Sequence, residues 1–192
     1  HDDPKKDPIR ALIISPTREL AIQIYNDACL LNKYTDFRIG LVYGGVDYDK
    51  QRKMLQDGID ILIGTPGRLI DYYKQKIFSL AELQIVVLDE ADRMFDLGFI
   101  RDVRYMFRRM PKPEERQSML FSATLSWRVT ELAYEHMNNP VLIRINPEQI
   151  TAQNITQIGY HVSSDEKVAL LIGLLRRIDP KRTIVFVNTK RT

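Results

Sequence analysis

The chain has 192 residues, of which 44% are hydrophobic and 28% are charged, and it contains a single cysteine, Cys29. This composition is ordinary for a globular protein of one or two domains, and it excludes an internal disulfide and a cysteine-based zinc site. The net charge of +3 is compatible with a nucleic-acid partner, and no apolar run approaches the roughly 18 residues that predict a membrane span.

Short apolar runs rich in β-branched residues recur along the chain and predict buried strands. They are Ala11–Ile14, Ile39–Tyr43, Ile59–Ile63, Ile85–Leu88, Met119–Phe121 and Val141–Ile145. Apolar residues at three- and four-residue steps predict helices between most of these runs. The helices are Glu19–Leu31, Leu69–Tyr73, Val103–Met110 and Val129–Met137. The alternation predicts an α/β fold with a mainly parallel sheet and helices on both faces.

Residues 146–157 are polar and lack a clear period, which predicts a linker between a first domain, 1–145, and a second domain, 158–192. In the second domain we expect a strand at Ile158–Val162, a helix at Glu166–Ile178 and a strand at Thr183–Val187. Two strands and one helix are few for a domain, so we expect the second domain to be incomplete in this chain.

Polar segments follow five of the predicted strands. They are Ser15–Leu20, Gly44–Gly45, Gly64–Arg68, Asp89–Asp92 and Ser122–Thr124. Ligands of open parallel sheets bind outside the carboxyl ends of the strands, so we expect these segments to form one polar rim. The general polarity of loops explains any one of these ends, but it explains all five poorly.

Asp89 and Glu90 follow the apolar run Val86–Leu88, as the acidic pair does in P-loop nucleotide hydrolases. Asp89 is expected to hold Mg²⁺, through water, because Mg²⁺ is reluctant to lose its hydration shell. Glu90 is expected to orient or deprotonate the attacking water. The alternative is that Asp89 or Asp92 caps a helix that begins near Ala91. The apolar run before the pair favours the metal site.

Two predicted helix starts, after Thr17–Arg18 and after Gly67–Arg68, offer free N–H groups and a forked cation to phosphates. Gly44, Gly45 and Gly67 would let a backbone approach closely, and such contacts hold a nucleic-acid strand without reading its bases. The alternative, equally weighted for each segment alone, is that Arg18 pairs with a carboxylate such as Glu19 and that the glycines only turn the chain.

Ser122 and Thr124 follow the strand after the acidic pair, so their hydroxyls could hydrogen-bond Asp92 and link a nucleotide site to movement elsewhere. The alternative is that Thr124 caps the next helix. Trp127 is expected to be a packed aromatic residue.

Taken together, these segments resemble the motifs of the DEAD-box RNA helicases, in the same order and spacing. Pro16–Ala21 is similar to motif Ia, Gly44–Gly45 to the paired-glycine motif, Thr65–Arg68 to motif Ib, Asp89–Asp92 to the motif that names the family, Ser122–Thr124 to motif III and Ile184–Thr189 to motif IV. Within the family the chain is most similar to the bacterial RhlB type, in the stretches Tyr48–Gln51, Asp60–Tyr72 and Asp92–Pro111.

The resemblance implies two RecA-like domains that close around ATP, Mg²⁺ and single-stranded RNA, with residues 1–145 as the first domain and 158–192 as the start of the second. It implies backbone contacts to RNA from Thr17, Arg18, Gly44, Gly45, Thr65, Gly67 and Arg68. It implies hydrolysis at Asp89 and Glu90, and coupling of hydrolysis to RNA binding through Asp92, Ser122 and Thr124. It also implies RNA remodelling in the bacterial cytoplasm, with an mRNA-decay complex as a candidate partner.

The chain departs from the family pattern at the phosphate-gripping loop. None of its nine glycines is followed by lysine, and the adenine-reading glutamine motif and the late arginine motifs are also missing. We therefore expect a chain truncated at both ends, with an uncovered sheet edge prone to aggregation, that alone neither binds ATP tightly nor hydrolyses it. Two alternatives stay open: another P-loop nucleic-acid motor, and a non-catalytic RNA-binding or scaffolding module.

Overall fold

A five-stranded, entirely parallel sheet forms the centre of the first of two compact units, residues 1–142 and 143–192. The computed structural model describes residues 8–145, 156 and 158–187. The strands are β1 (Ala11–Ile14), β2 (Ile39–Val42), β3 (Ile61–Gly64), β4 (Ile85–Leu88) and β5 (Gln117–Leu120), in the spatial order β2-β3-β1-β4-β5. The predicted parallel α/β sheet is therefore confirmed.

β1 lies at the centre of the sheet, where Ala11 is in register with Ile61 of β3 on one side and with Ile85 of β4 on the other. Leu12 and Ile14 of this strand are fully buried. Strands covered on both faces need apolar side chains throughout, which is why these runs were recognisable in the sequence.

Six helices complete the first unit within the described residues. They are α1 (Arg18–Leu31), α2 (Tyr48–Gln56), α3 (Pro66–Lys74), α4 (Ala91–Asp96), α5 (Ile100–Phe107) and α6 (Trp127–His136), with short 3₁₀ turns at Asn32–Tyr34 and Pro113–Glu115. The chain runs from β1 outward to β2 and then reverses direction through β3, β4 and β5. Because such crossovers are right-handed, α1 covers one face of the sheet, and α2, α3 and α5 cover the other.

The sequence did not predict α2, because it is short and strongly polar. Its N-cap Asp47 accepts hydrogen bonds from the backbone N–H groups of Asp49 and Lys50, and within the helix only Gln51 and Leu55 are buried. The expectation that Trp127 is packed was wrong, since 72% of the residue is exposed at the start of α6. Ser126 rather than Thr124 caps that helix, by accepting a hydrogen bond from Val129 N–H.

The run Val141–Ile145 does not form a strand, and its side chains are exposed. A buried strand needs a neighbouring strand as well as an apolar sequence, and this run has none in the described part of the chain. β5 is an edge strand of the described sheet, and none of its four residues is fully buried. The expected uncovered edge and its tendency to aggregate stay predictions.

In the second unit, the helix α7 (Lys167–Ile178) confirms the prediction for Glu166–Ile178. Neither Ile158–Val162 nor the described run Thr183–Val187 is a strand, and most of their side chains are exposed. The predicted linker, 146–157, lies outside the described residues except for Thr156. The last two residues of the motif IV segment, 188 and 189, also lie outside them. No helix in the described portion has the length and apolar character needed to span a bilayer.

Candidate nucleotide and nucleic-acid site

The five polar segments lie at the carboxyl ends of the five parallel strands, so they share one edge of the sheet. Strand order divides this rim into two halves. The adjacent strands β2, β3 and β1 lead into the glycine, threonine and arginine segments, whereas β4 and β5 lead into the acidic and hydroxyl segments. β1 is the strand of the first half that borders β4, and its helix α1 lies on the opposite face of the sheet from the helices that follow β3 and β4. Ligands of open parallel sheets bind where the connections change face in this way.

The turn after β1 is built around the buried Ser15, whose hydroxyl donates to the carbonyl of Thr17 at 3.0 Å. Thr17 caps α1, because its Oγ1 accepts a hydrogen bond from Leu20 N–H at 3.3 Å. The exposed guanidinium of Arg18 pairs with Glu19 at 2.6 Å, and this hydrogen bond and charge raise the pKa of Arg18 and lower the pKa of Glu19. The carboxylate pairing considered from the sequence is thus present. An exposed ion pair is weak, so a phosphate can compete for this arginine.

The loop after β2 brings the paired glycines to Arg18. A Cβ on Gly45 would lie 3.9 Å from Nη1 of Arg18, and Gly45 has a φ of +85°, a conformation that favours glycine. Gly44 and Gly67 face open space, with no atom within 4 Å of a Cβ built on either. The loop is held from below by Gln51, whose side-chain amide accepts from Tyr43 N–H at 3.1 Å and donates to Tyr43 C=O at 3.2 Å.

Helix α3 begins directly after β3. Thr65 is its N-cap residue, and Thr65 N–H donates to Val42 C=O at 3.1 Å, while the threonine side chain makes no capping hydrogen bond. Pro66 occupies the first turn, where its missing N–H costs nothing, and Gly67 is exposed. The half-buried Arg68 packs against aromatic rings of α2 and α3. This end of α3 therefore presents main-chain donors and one guanidinium at the rim.

The acidic pair follows β4 through a strained turn. Asp89 N–H donates to Ile14 C=O at 3.0 Å, which ties this turn to the end of β1. Glu90 has left-handed backbone angles, φ 47° and ψ 53°, a conformation that costs a non-glycine residue about 1–2 kcal/mol. Ala91 N–H donates to Phe121 C=O at 3.0 Å and joins the turn to the end of β5. Strain of this kind concentrates at functional sites.

The helix-cap alternative for Asp89 fails on the geometry. α4 begins at Ala91 with Glu90 at the N-cap position, and the Glu90 side chain makes no capping hydrogen bond. Oδ1 of Asp89 instead accepts from Glu90 N–H at 2.9 Å. Asp89 is therefore not the capping residue of α4.

The donor set suits a hydrated divalent cation. No group of three or more histidine, cysteine or acidic residues that could enclose a metal occurs within the described residues. Asp89 and Glu90, both half-buried, supply two carboxylate groups. Mg²⁺ commonly binds through one or two carboxylates, retained water and substrate phosphates, so the pair fits Mg²⁺ bound with a nucleotide better than a closed protein cage.

Asp92 is hydrogen-bonded to the turn after β5. Its Oδ2 accepts from both Thr124 N–H, at 2.9 Å, and Thr124 Oγ1, at 2.8 Å. Asp92 N–H donates to Ser122 Oγ at 3.2 Å, and the Ser122 hydroxyl donates to Thr124 C=O at 2.8 Å. Burial raises the pKa of the Asp92 carboxyl, but the hydrogen bonds with Thr124, Ser122 and Arg93 together outweigh it and hold that pKa below its usual range. The hydrogen bond expected between Thr124 and Asp92 is present, and the coupling role of these residues stays a prediction.

Among the described residues, no hydrogen bond joins the side chains of Asp89 or Glu90 to Ser122 or Thr124. The acidic and hydroxyl segments meet through Asp92 and through the backbone contact at Ala91. Sequence reasoning missed the aromatic residues that hold Arg68 and the glutamine that holds the glycine loop. Two of these residues, Tyr48 and Gln51, lie on the unpredicted helix α2, and Tyr72 lies on α3. The one sequence signal for that helix was Asp47, a good N-cap residue directly before the polar stretch.

Comparisons with a family model and with curated proteins agree with one another. A family model described as DEAD/DEAH box helicase matches residues 2–132. The chain is 59% identical over 188 residues to an ATP-dependent RNA helicase RhlB of Pseudoalteromonas atlantica, covering 98% of this chain and 44% of the relative. It is 60% identical over 189 residues to an ATP-dependent RNA helicase RhlB of Xanthomonas oryzae pv. oryzae, covering 98% of this chain and 33% of the relative. The chain thus spans less than half the length of these curated relatives.

The fold also matches a solved structure. A crystal structure of a DEAD box protein from the hyperthermophile Methanococcus jannaschii superposes with a TM-score of 0.69 at 32% identity, over 88% of this chain and 45% of that one. The match supports the RecA-like α/β fold that the resemblance to the family implied.

Proposed function

We propose, because the chain belongs to the DEAD/DEAH box helicase family, that the whole protein is an ATP-dependent RNA helicase of the RhlB type. It would separate short RNA duplexes locally and be reset by ATP hydrolysis. The observation that carries the proposal is the divided rim, on which phosphate-binding segments after β2, β3 and β1 and an acidic pair after β4 share one edge of the sheet. The names of the relatives, which are ATP-dependent RNA helicases, support the same activity.

The half of the rim formed by β2, β3 and β1 would hold the sugar-phosphate backbone of single-stranded RNA. The residues proposed to do so are Thr17, Arg18, Gly44, Gly45, Thr65, Gly67 and Arg68. Main-chain donors, open glycines and two guanidinium groups suit phosphates and carry no information on base sequence. Binding is therefore expected to depend strongly on salt and weakly on sequence.

The half formed by β4 and β5 would act on the nucleotide. Bound ATP with Mg²⁺ would supply the phosphoryl bond that is cleaved. Asp89 would hold the cation through water, and a Glu90 carboxylate oxygen would orient the attacking water and accept its proton. The hydrogen bonds from Asp92 to the Ser122–Thr124 turn would transmit the state of this half to the rest of the molecule.

The phosphate-gripping lysine of the family does not occur within the 192 residues, since no glycine is followed by lysine. We therefore expect the 192-residue chain alone to show no RNA-stimulated release of phosphate from ATP, while the whole protein shows it. Stimulation of hydrolysis by DNA as strongly as by RNA would favour a different nucleic-acid motor, and RNA binding without hydrolysis by the whole protein would favour a binding module. Action in the cytoplasm and membership of an mRNA-decay complex are further parts of this proposal.

The decisive test compares Arg68→Ala with Arg109→Ala in the whole protein. Arg109 is the control because both arginines lie near the ring of a tyrosine four residues away, Tyr72 for Arg68 and Tyr105 for Arg109. Arg109 lies in the turn after α5, away from the carboxyl ends of the strands. Affinity for a fluorescein-labelled oligouridylate is measured by anisotropy across a salt series. We expect Arg68→Ala to weaken binding of every RNA sequence similarly and to reduce the salt slope by about one ion, and Arg109→Ala to change neither. Equal slopes for Arg68→Ala and the unmodified protein would remove Arg68 from the RNA site.

A further inference from the structure

Arg68 is held in place by neutral groups. Its guanidinium carbon lies 4.8 Å from the ring centre of Tyr48 and 5.5 Å from that of Tyr72, and its Nη1 donates to the Tyr72 hydroxyl at 3.3 Å. Within the part of the chain that the structure describes, no carboxylate lies within ion-pair distance of this arginine. By contrast, Arg18, which follows the neighbouring strand β1, is paired with Glu19.

The two tyrosines are themselves fixed by the packing of α2 against α3. Tyr72 is fully buried, its hydroxyl donates to Tyr48 C=O at 2.8 Å, and the two rings lie 4.7 Å apart at 40°. Tyr48 Oη in turn accepts a hydrogen bond from the side-chain amide of Gln75, which also donates to Asp71 Oδ1 at 2.9 Å. The aromatic faces next to Arg68 are therefore held by both helices.

A cation held by aromatic faces keeps its charge, whereas a cation held by a carboxylate is largely neutralised before any ligand arrives. Guanidinium has five N–H donors, and the contact with Tyr72 uses one of them. The remaining donors can form the paired hydrogen bonds that phosphate oxygens accept. Because the side chain is already ordered, binding loses less conformational entropy than it would with a free arginine.

We propose that Tyr48 and Tyr72 are positioning residues that fix the guanidinium of Arg68 at the rim for an RNA phosphate while leaving its positive charge uncompensated. This inference rests on the proposed function, and it adds two residues that touch Arg68 rather than RNA. It gives the polar helix α2 a role, because this helix carries Tyr48, one of the two rings that pack against Arg68.

The test uses the whole protein and the labelled oligouridylate, with Tyr48→Phe, Tyr48→Leu, Tyr72→Phe, Arg68→Ala and the double variant Tyr48→Leu/Arg68→Ala. Tyr48→Phe keeps the aromatic face, so it should bind RNA as the unmodified protein does. Tyr48→Leu removes the face but keeps apolar bulk, so it should weaken RNA binding by about 3- to 10-fold. Tyr72→Phe keeps the aromatic ring but removes two hydrogen bonds of the hydroxyl, one from Arg68 and one to Tyr48 C=O, and it should give a smaller loss than Tyr48→Leu. In Tyr48→Leu, the Michaelis constant for RNA in RNA-stimulated ATP hydrolysis should rise, with little change in the maximal rate.

The double variant separates the outcomes. If Tyr48 acts through Arg68, adding Tyr48→Leu to Arg68→Ala should cause no further loss. A full additional loss in the double variant would mean that Tyr48 touches RNA itself, and this result would overturn the inference while leaving the proposed function standing. Normal RNA binding by Tyr48→Leu, with weakened RNA binding by Arg68→Ala, would also overturn the inference. If Arg68→Ala binds normally, the proposed role of Arg68 fails instead. Thermal unfolding of each variant identifies any loss of fold. Normal RNA binding by Tyr48→Phe together with weak binding by Tyr48→Leu would show that the aromatic face of Tyr48 is needed and that its hydroxyl is not.

Discussion

Replacing Thr124 by valine isolates one hydrogen bond of the Asp92 network. Valine has nearly the same shape as threonine but lacks the hydroxyl that donates to Asp92 Oδ2 at 2.8 Å. The second bond to the same oxygen, from the Thr124 backbone at 2.9 Å, is kept. Thr124→Ser is the matched control, because serine retains the hydroxyl.

The expected loss of stability is modest. A hydrogen bond to a charged group contributes about 1.5–3 kcal/mol when it is shielded from water. Thr124 is exposed, so water can take over much of the lost interaction. We therefore expect the free energy of unfolding to fall by about 1 kcal/mol at pH 7 in the valine variant, and the melting temperature to fall by about 2–4 °C.

The loss should depend on pH in a defined direction. The Asp92 carboxyl has a pKa below its ordinary value of 3.8 in the folded chain. A group of this kind stabilises the fold above its unfolded pKa, and the contribution disappears as the pH falls through the folded pKa. Removing the hydroxyl moves the folded pKa upward, so the difference between the unmodified and valine chains should be largest near neutrality and should shrink below about pH 4.

Urea unfolding of the unmodified, valine and serine chains at pH 7 and at pH 3 measures this difference. The reasoning is refuted if the valine variant loses the same stability at both pH values, since the ionised carboxylate would then not be the acceptor that matters. It is also refuted if the serine variant is as unstable as the valine variant at pH 7.

Three further predictions concern other parts of the fold and site. Gly64→Ala should lower the free energy of unfolding by about 1–3 kcal/mol, because its Cβ would lie 2.6 Å from the carbonyl oxygen of Val42. Gly67→Ala, where the Cβ would face open space, should not destabilise the fold, and denaturant titration of both variants measures the difference. Arg116→Met should cost about 2–4 kcal/mol, because this buried guanidinium donates to two backbone carbonyls and a serine, and an unchanged melting temperature would contradict it. Glu90→Gln should reduce RNA-stimulated ATP hydrolysis by the whole protein at least about 100-fold without loss of RNA binding, and normal phosphate release would remove Glu90 from catalysis.

The five strands of the sheet could be predicted to within about two residues because parallel strands covered on both faces require unbroken apolar runs. The same signal failed at Val141–Ile145, which has the composition of a strand and no neighbouring strand within the described residues. An apolar run reports what a segment would bury, not whether the fold provides a partner for it. Helix α2 escaped notice for the opposite reason, since it buries only Gln51 and Leu55.

The residues that stand at the strand ends could likewise be predicted from the sequence, because they follow each apolar run directly along the chain. The helper residues could not. Tyr72 reaches Tyr48 across 24 residues, so this contact exists only once two elements have packed. The hydrogen bond from Thr124 to Asp92 spans 32 residues and could be expected only because both residues follow strands of the predicted sheet. Neither tyrosine stands at a strand end or carries a charge that would mark it.

The sequence by itself determined which segments are strands of a parallel sheet, which functional groups stand at their carboxyl ends, and that no lysine follows a glycine. Tertiary structure alone decided the order β2-β3-β1-β4-β5, which separates the segments proposed to bind phosphates from the acidic pair. It also decided that Arg68 packs against aromatic rings while Arg18 pairs with a carboxylate. The physical reason is that periodicity along a chain encodes which face is buried, whereas the neighbour that buries it is selected by packing between distant segments.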